Sequence, residues 1–163
     1  MTTTVQDQLK ESIGALMKLE PSEIETELGR RLEATKKDVE QGQTLLTAAP
    51  MIIPPDSTEL AAAPVWFRKL GQNFLEKLNT QMYSLVCDQK DADNVKVRQA
   101  LGGGAEQIAL VISGVLVATF GLLPGIATAV AVIVGKRIAA AGHDALCKTW
   151  KEAQPKGSPA STS

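Results

Sequence analysis

Aromatic residues are scarce in this chain, which has two Trp, one Tyr and three Phe among 163 residues. Ala, Val, Leu and Ile must therefore supply most of the apolar area that a folded core buries. An excess of one charge is also lacking, since the formal net charge is −1. Near-neutrality excludes the strong overall attraction to phosphate that typifies nucleic-acid-binding proteins, so no nucleic-acid partner is expected.

Side chains that often bind metals or act as nucleophiles are also few, because the chain has two cysteines and one histidine. Cys87 and Cys147 are far apart and match no disulfide framework, so we expect reduced thiols. His143 and Cys147 lie four residues apart on one helical face, but a zinc site needs about four ligands. The pair also lacks a third group to orient it for nucleophilic catalysis. We predict no catalytic residue, no metal and no cofactor, and we do not expect an enzyme.

A secretory signal is not visible at the start of the sequence, where MTTTVQDQLKES has no charged segment followed by an apolar one. We therefore expect a protein that is made in the cytoplasm, is not secreted by a classical signal peptide, and becomes associated with a membrane.

The most prominent feature that the sequence does have is an uncharged stretch of 29 residues, 107–135. Its many Val and Ile residues favour strand, and periodicity cannot decide for a run that is apolar on all sides. Each half is longer than a usual strand, which favours helix. Pro124 and Gly125 then interrupt the run. The pattern predicts two antiparallel helices, 105–123 and 126–141, joined by a turn.

The predicted hairpin has dimensions close to those of a bilayer. At about 1.5 Å per residue its helices measure roughly 28 and 24 Å, against a hydrocarbon core of about 30 Å. Its turn, Leu122-Leu123-Pro124-Gly125, is apolar, whereas a turn at the surface of a soluble protein is normally polar. This turn should therefore be hidden in lipid, in a partner or in a large core. No Trp or Tyr flanks the run, so the aromatic anchors of most transmembrane helices are missing.

Small residues recur at every fourth position of both helices, which predicts close approach of the two backbones, in a membrane or in a tightly packed soluble core. They are Ala105, Ala109 and Ser113 in the first helix, and Ala127, Ala131, Gly135 and Ala139 in the second.

Three groups of residues would carry out membrane insertion. Gly102, Gly103 and Gly104 weaken helix and predict a hinge before the hairpin. Lys136 and Arg137 are predicted as an interface anchor, with their charges at the lipid headgroups. The predicted inserting residues are Ile108, Ile112, Val117, Phe120, Leu122, Leu123, Pro124, Ile126, Val130 and Ile133.

The rest of the chain predicts amphipathic helices around this hairpin. Apolar residues at helical spacing predict helices over 4–19, 22–46 and from Pro64 to about Val86. The second of these has a thin apolar stripe, which is typical of an outer helix. Residues 47–64 contain four of the eight prolines and predict an extended connector.

We therefore predict an all-α fold of amphipathic helices around a C-terminal hydrophobic helical hairpin. Residues 1–104 form the amphipathic region, and residues 105–153 form the hairpin and a C-terminal helix. Residues 154–163 form a disordered tail. This layout is similar, in architecture and not in any residue motif, to pore-forming colicin domains. The similarity implies a soluble form whose outer helices move away so that the hinge frees the hairpin.

The sequence thus predicts a small membrane-inserting helical protein, either an oligomeric pore former or another membrane-disrupting effector, with the lipid bilayer as its partner. The alternative is a soluble helical interaction or scaffold subunit in which the apolar hairpin is buried. Such a subunit would associate with itself or with a helical protein partner.

Overall fold

A computed structural model describes residues 5–40 and 60–153 of the chain. Over these ranges the protein contains helices and short connections and no strand, which confirms the predicted all-α class. A 3₁₀ turn, Leu101–Gly103, precedes the fifth helix. The α-helices are α1 (Val5–Met17), α2 (Pro21–Glu40), α3 (Val65–Cys87), α4 (Asn94–Ala100), α5 (Gly104–Phe120), α6 (Pro124–Ala141) and α7 (His143–Ala153).

Three predictions lie wholly or partly outside the described residues. They are the disordered tail 154–163, the connector 47–64 as far as residue 59, and the last six residues of the predicted helix 22–46.

The turn between α1 and α2 occupies residues 18–20. Pro21 is the first residue of α2, a position that suits proline because the first helical N–H has no partner within the helix. The Glu23 carboxylate accepts a hydrogen bond from the Glu20 backbone N–H at 2.8 Å. Such a contact satisfies a donor that would otherwise be free at the helix start. The helix thus begins one residue before the predicted start at residue 22.

α2 is buried over more of its surface than its thin apolar stripe predicts, although several of its side chains remain partly exposed. Ile24 and Leu28 are completely buried, as expected for its apolar stripe. Glu27 and Arg31, which continue the same face at helical spacing, are also buried, and so is Gly29 on the other side of the helix. The reason is that α2 packs against α3 on one side and against α6 on another.

Two glycines bring α2 and α3 into backbone contact. A Cβ on Gly29 would stand 1.7 Å from the carbonyl oxygen of Phe67, and one on Gly71 would stand 2.1 Å from that of Glu25. No side chain fits at those distances, so this close crossing requires glycine at both positions. The paired positions show that the two helices run in opposite directions.

The C-terminal helix folds back onto α3. α6 ends at Ala141, the end predicted for the second arm, because Gly142 has a φ of +85°, a value that favours glycine. α7 then packs on α3, where the Trp150 indole donates a hydrogen bond to Asn79 Oδ1 at 2.8 Å. The Trp150 ring also meets Tyr83 edge to face, with the ring centroids 5.7 Å apart.

Candidate functional site: the apolar hairpin

α5 and α6 are the two arms of the hairpin and pack against each other. α5 ends at Phe120 because Gly121 adopts the left-handed conformation, with a φ of +68°. The Leu122 N–H then donates to the carbonyl oxygen of Leu116 at 3.2 Å. α6 begins at Pro124. The first arm is therefore three residues shorter at its end than predicted, and the second begins two residues earlier.

Small residues lie between the arms, as their spacing predicts. A Cβ on Gly135 would be 3.0 Å from the carbonyl oxygen of Ala105 and 3.4 Å from the Cβ of Ala109. Ala127 and Ala131 have no exposed surface, whereas Ala139, the last of the predicted row, is exposed. The close approach therefore covers most of the predicted row and ends before its last member.

The predicted inserting residues fall into two groups by burial. Ile108, Ile112, Ile126, Val130 and Ile133 are at most 5% exposed. Val117, Phe120, Leu122, Leu123 and Pro124, which include most of the turn, are only partly buried. Leu122 and Leu123 pack against the main core. The apolar turn thus packs against the protein's own core and remains partly exposed.

The second arm is enclosed by the rest of the protein. Every residue from Gly125 to Gly135 is buried, and α1, α2, α5 and α7 all contact α6. Enclosure on all sides explains why this helix can be apolar around its whole circumference in a folded protein.

The first arm has an open side, which borders a groove of 510 Å³ between α4 and α5. Leu110 and Val111 line the groove, and Lys96 and Thr119 contribute polar groups. Gly114 lies near the middle of this side, is exposed, and has no atom within 4 Å of the position a Cβ would take. α5 is therefore a surface helix along this line.

A buried polar network, here called the α2 latch (Glu27, Arg31, Gly125 and Thr128), joins α2 to the start of α6. Arg31 Nη1 donates to the carbonyl oxygen of Gly125 at 2.7 Å and to Thr128 Oγ1 at 3.3 Å. Arg31 Nε donates to Glu27 Oε1 at 2.8 Å. Glu27 also accepts two hydrogen bonds from Arg30. The side chains of Glu27 and Arg31 are 0% and 2% exposed.

The charges of the α2 latch depend on each other. Burial lowers the pKa of Arg31 below its ordinary value because it disfavours the charged guanidinium, and the charge of Glu27 acts in the opposite direction. Removing one partner from a buried pair leaves the other charge without compensation and costs several kcal/mol, on the order of 3–5. Loss of either residue alone should therefore weaken the packing of α2 on α6.

A second polar contact, here called the α1 latch, holds the other end of α6. The Lys136 ammonium donates to the carbonyl oxygens of Met17, at 2.9 Å, and of Leu19. These carbonyls belong to the last residue of α1 and the turn after it, where no helical N–H satisfies them and where a cation is favoured. Of the two predicted anchor residues, Lys136 is thus engaged by α1, while Arg137 is exposed.

The predicted hinge forms a compact turn in this structure. Gly102 and Gly103 belong to the 3₁₀ turn, and all three glycines are exposed. Gly104 opens α5 with a φ of +86°, a conformation that side-chain-bearing residues rarely adopt. The turn thus requires glycine at residue 104.

The two cysteines form a disulfide, so the expectation of reduced thiols is wrong. Cys87 at the end of α3 is bonded to Cys147 in α7, with a Cα–Cα distance of 5.6 Å. His143 lies beside the bond, with Nε2 2.7 Å from the carbonyl oxygen of Val86 and 3.6 Å from the sulfur of Cys147. Sequence spacing could not reveal this pairing, because 60 residues separate the two positions.

Sequence reasoning also missed the α2 latch. Glu27 and Arg31 stand four residues apart, which is the usual spacing of a solvent-exposed ion pair on a helix surface. The available signal was their position, since Glu27 and Arg31 share one helical face with the apolar stripe that begins at Ile24. In the described residues, no group of three or more His, Cys, Asp or Glu side chains could hold a metal ion.

No protein-family model, curated protein or solved structure matches the chain. Two stretches are long and apolar enough to cross a membrane. They are α6 and Asn94–Phe120, which ends with α5.

Proposed function

We propose that this protein is a membrane-inserting helical protein, which keeps an apolar hairpin inside a soluble fold and releases it into a lipid bilayer. The arms have suitable lengths, because 17 and 18 residues correspond to roughly 26 and 27 Å of helix. A hydrocarbon core of about 30 Å accommodates slightly short helices by local thinning.

The way in which α6 is held carries this proposal. Its flanks are apolar, but its two ends are fixed by the α2 latch, at Gly125, and by the α1 latch, at Lys136. If α1 and α2 moved away, lipid could cover the apolar flanks of α6. Glu27 and Arg31 would regain water, which reverses the cost of burying them. Two contributions therefore favour release at a membrane: lipid covers the apolar flanks of α6, and water solvates Glu27 and Arg31 again.

Disruption of a membrane would require several copies of the hairpin, since two helices cannot enclose a water-filled channel. Lys136, once free of α1, and Arg137 would then lie at the headgroup level as anchors. The Cys87–Cys147 disulfide favours a place of action in an oxidising compartment, although the sequence predicts synthesis in the cytoplasm.

Gly114 allows a direct test, because a side chain at this open position should not disturb the soluble fold. Gly114→Glu would place a carboxylate near the middle of the first arm, at a cost of about 2.5–3.5 kcal/mol in a bilayer. We expect this variant to fold as the wild type does and to lose dye release from liposomes by at least about tenfold. Gly114→Ala is the matched control and should release dye normally.

Two results would contradict the proposal. One is a folded Gly114→Glu variant that releases dye as fast as the wild type does. The other is wild-type protein that neither floats with anionic liposomes nor makes them leak.

The second of these results would favour the alternative, a soluble interaction or scaffold subunit. The observation that supports this alternative is the burial of α6, because the core helix of a soluble protein satisfies the same length and composition criteria as a membrane span. Ile24 and Leu28, which begin the apolar stripe of α2, are already buried within the protein and are not accessible to a partner. A partner would therefore have to use another face, such as the open side of α5.

A further inference from the structure

The start of α3 carries an unusual concentration of exposed apolar side chains. Among the side chains that the structure describes, three large hydrophobic ones are exposed: Val65 (85%), Trp66 (50%) and Val95 (55%). Two of the three are neighbours in sequence. Ala61, Ala62 and Pro64, which precede them, are exposed as well. Trp66 lies at an apolar position of the helix predicted from Pro64, yet it is half exposed.

Positive charge lies immediately beside these apolar residues. Arg68 and Lys69 follow Trp66 and Phe67 and are both exposed. Glu25 is 3.6 Å from Arg68, but the Arg68 side chain is still 51% exposed, so its guanidinium remains accessible. An exposed Trp next to two basic side chains is the combination that the headgroup region of an anionic membrane favours, because the indole is amphipathic and the charges attract acidic lipids.

The position of this surface relative to the hairpin gives it a role. Phe67 contacts α2 at Gly29 through its backbone, and Arg31, two residues further along α2, holds Gly125 at the start of α6. The surface and the α2 latch therefore contact the same turn of α2 from opposite sides. A membrane bound at the start of α3 would lie one helix away from the contact that must open before α6 can leave.

We propose that residues 61–69 form a docking surface for anionic lipid headgroups, which holds the folded protein on a membrane before the hairpin is released. This inference rests on the proposed function and supplies the aromatic contacts that the hairpin itself lacks. Docking and insertion are then separate steps that use different residues.

Trp66 can report docking directly. The other tryptophan, Trp150, is partly buried against Tyr83 and bonded to Asn79, so Trp150→Phe leaves Trp66 as the only indole. We expect its fluorescence to shift to the blue and to be quenched by brominated lipid in anionic vesicles and not in zwitterionic ones. The Gly114→Glu variant should show the same changes, because it can dock without inserting.

Flotation with anionic vesicles provides the second measurement and uses variants at exposed positions, where folding is not at risk. Val65→Ser/Trp66→Ser and Arg68→Gln/Lys69→Gln should each lower vesicle binding by about tenfold or more. The matched controls are Val95→Ser and Lys148→Gln/Lys151→Gln, which change exposed residues of α4 and α7. Both controls should bind as the wild type does.

The outcomes separate docking from the proposed function. If the wild type makes vesicles leak but the residue 65–69 variants float unchanged, the docking surface is refuted and the role of the hairpin stands. The docking surface is also refuted if Lys148→Gln/Lys151→Gln weakens binding instead. If the wild type neither floats nor causes leakage, both the docking surface and the membrane-inserting function are refuted.

Discussion

α5 and α6 are similar in composition and length and different in their surroundings. Both are apolar helices of nearly equal length, yet 6 of 17 residues are buried in α5 and 12 of 18 in α6. The difference follows from what packs against them, since α6 is enclosed and bordered by two latches while α5 faces a groove. An apolar composition alone therefore does not determine whether a helix forms the centre of a fold or part of its surface.

This difference assigns the two arms unequal parts in the proposed release. α5 already exposes one side to its surroundings, so little has to move before it meets a lipid. α6 can leave only when α1 and α2 have moved, which makes the contacts of α6 the barrier to insertion. Changes in α6 should thus act on the soluble fold, whereas changes on the open side of α5 should act on the membrane-bound form.

The largest contrast is expected from the same substitution placed in each arm. Val130→Glu puts a carboxylate at a position with no exposed surface, and we expect it to destabilise the soluble fold by about 4 kcal/mol or more. Ala118→Glu puts it at an exposed position of α5 and should change stability by less than about 0.5 kcal/mol. Urea denaturation followed by circular dichroism measures both. Equal stabilities of the two variants would show that the arms do not differ as described.

Breaking the α2 latch should have the next largest effect. Glu27→Leu removes the carboxylate that offsets the buried charge of Arg31 and should cost about 3 kcal/mol. The double variant Glu27→Leu/Arg31→Met, which replaces the pair with apolar side chains, should regain most of that stability. Thermal unfolding of the single and double variants gives the coupling between the two positions.

The same variants test whether the latch controls release. Glu27→Leu should increase the rate of dye release from liposomes, and the double variant should return it toward the wild-type rate. A slower or unchanged rate in a folded Glu27→Leu protein would show that α2 does not restrain the hairpin.

The smallest contrast concerns one methyl group in each arm. Gly135→Ala would bring a Cβ to 3.0 Å from the carbonyl oxygen of Ala105, which should separate the arms slightly and cost about 1–2 kcal/mol. Gly114→Ala meets no atom within 4 Å and should stabilise α5 by about 0.5–1 kcal/mol, because alanine favours helix over glycine. Opposite signs in thermal unfolding would confirm the contrast, and a stabilised Gly135→Ala would contradict it.

The sequence predicted the parts of this fold that depend on local signals. Pro124 and the glycines beside it mark the turn, and uncharged length marks both arms, because these effects operate within a few residues. The position of α2 was not predictable in this way. Its burial on two sides depends on the contact of Gly29 with α3 and of Arg31 with Gly125. Both contacts join residues that are distant in the chain. Likewise, the exposure of Trp66 depends on where α3 meets α2, which the periodicity of α3 does not encode.

The covalent link between Cys87 and Cys147 closes a loop that contains both arms of the hairpin. Because the two cysteines are joined, the chain must enter and leave this loop at one point, whatever path α5 and α6 take. A hairpin that crossed a bilayer would therefore cross as a loop whose two ends remain covalently joined. The segments before Cys87 and after Cys147 would stay together on the side from which it set out.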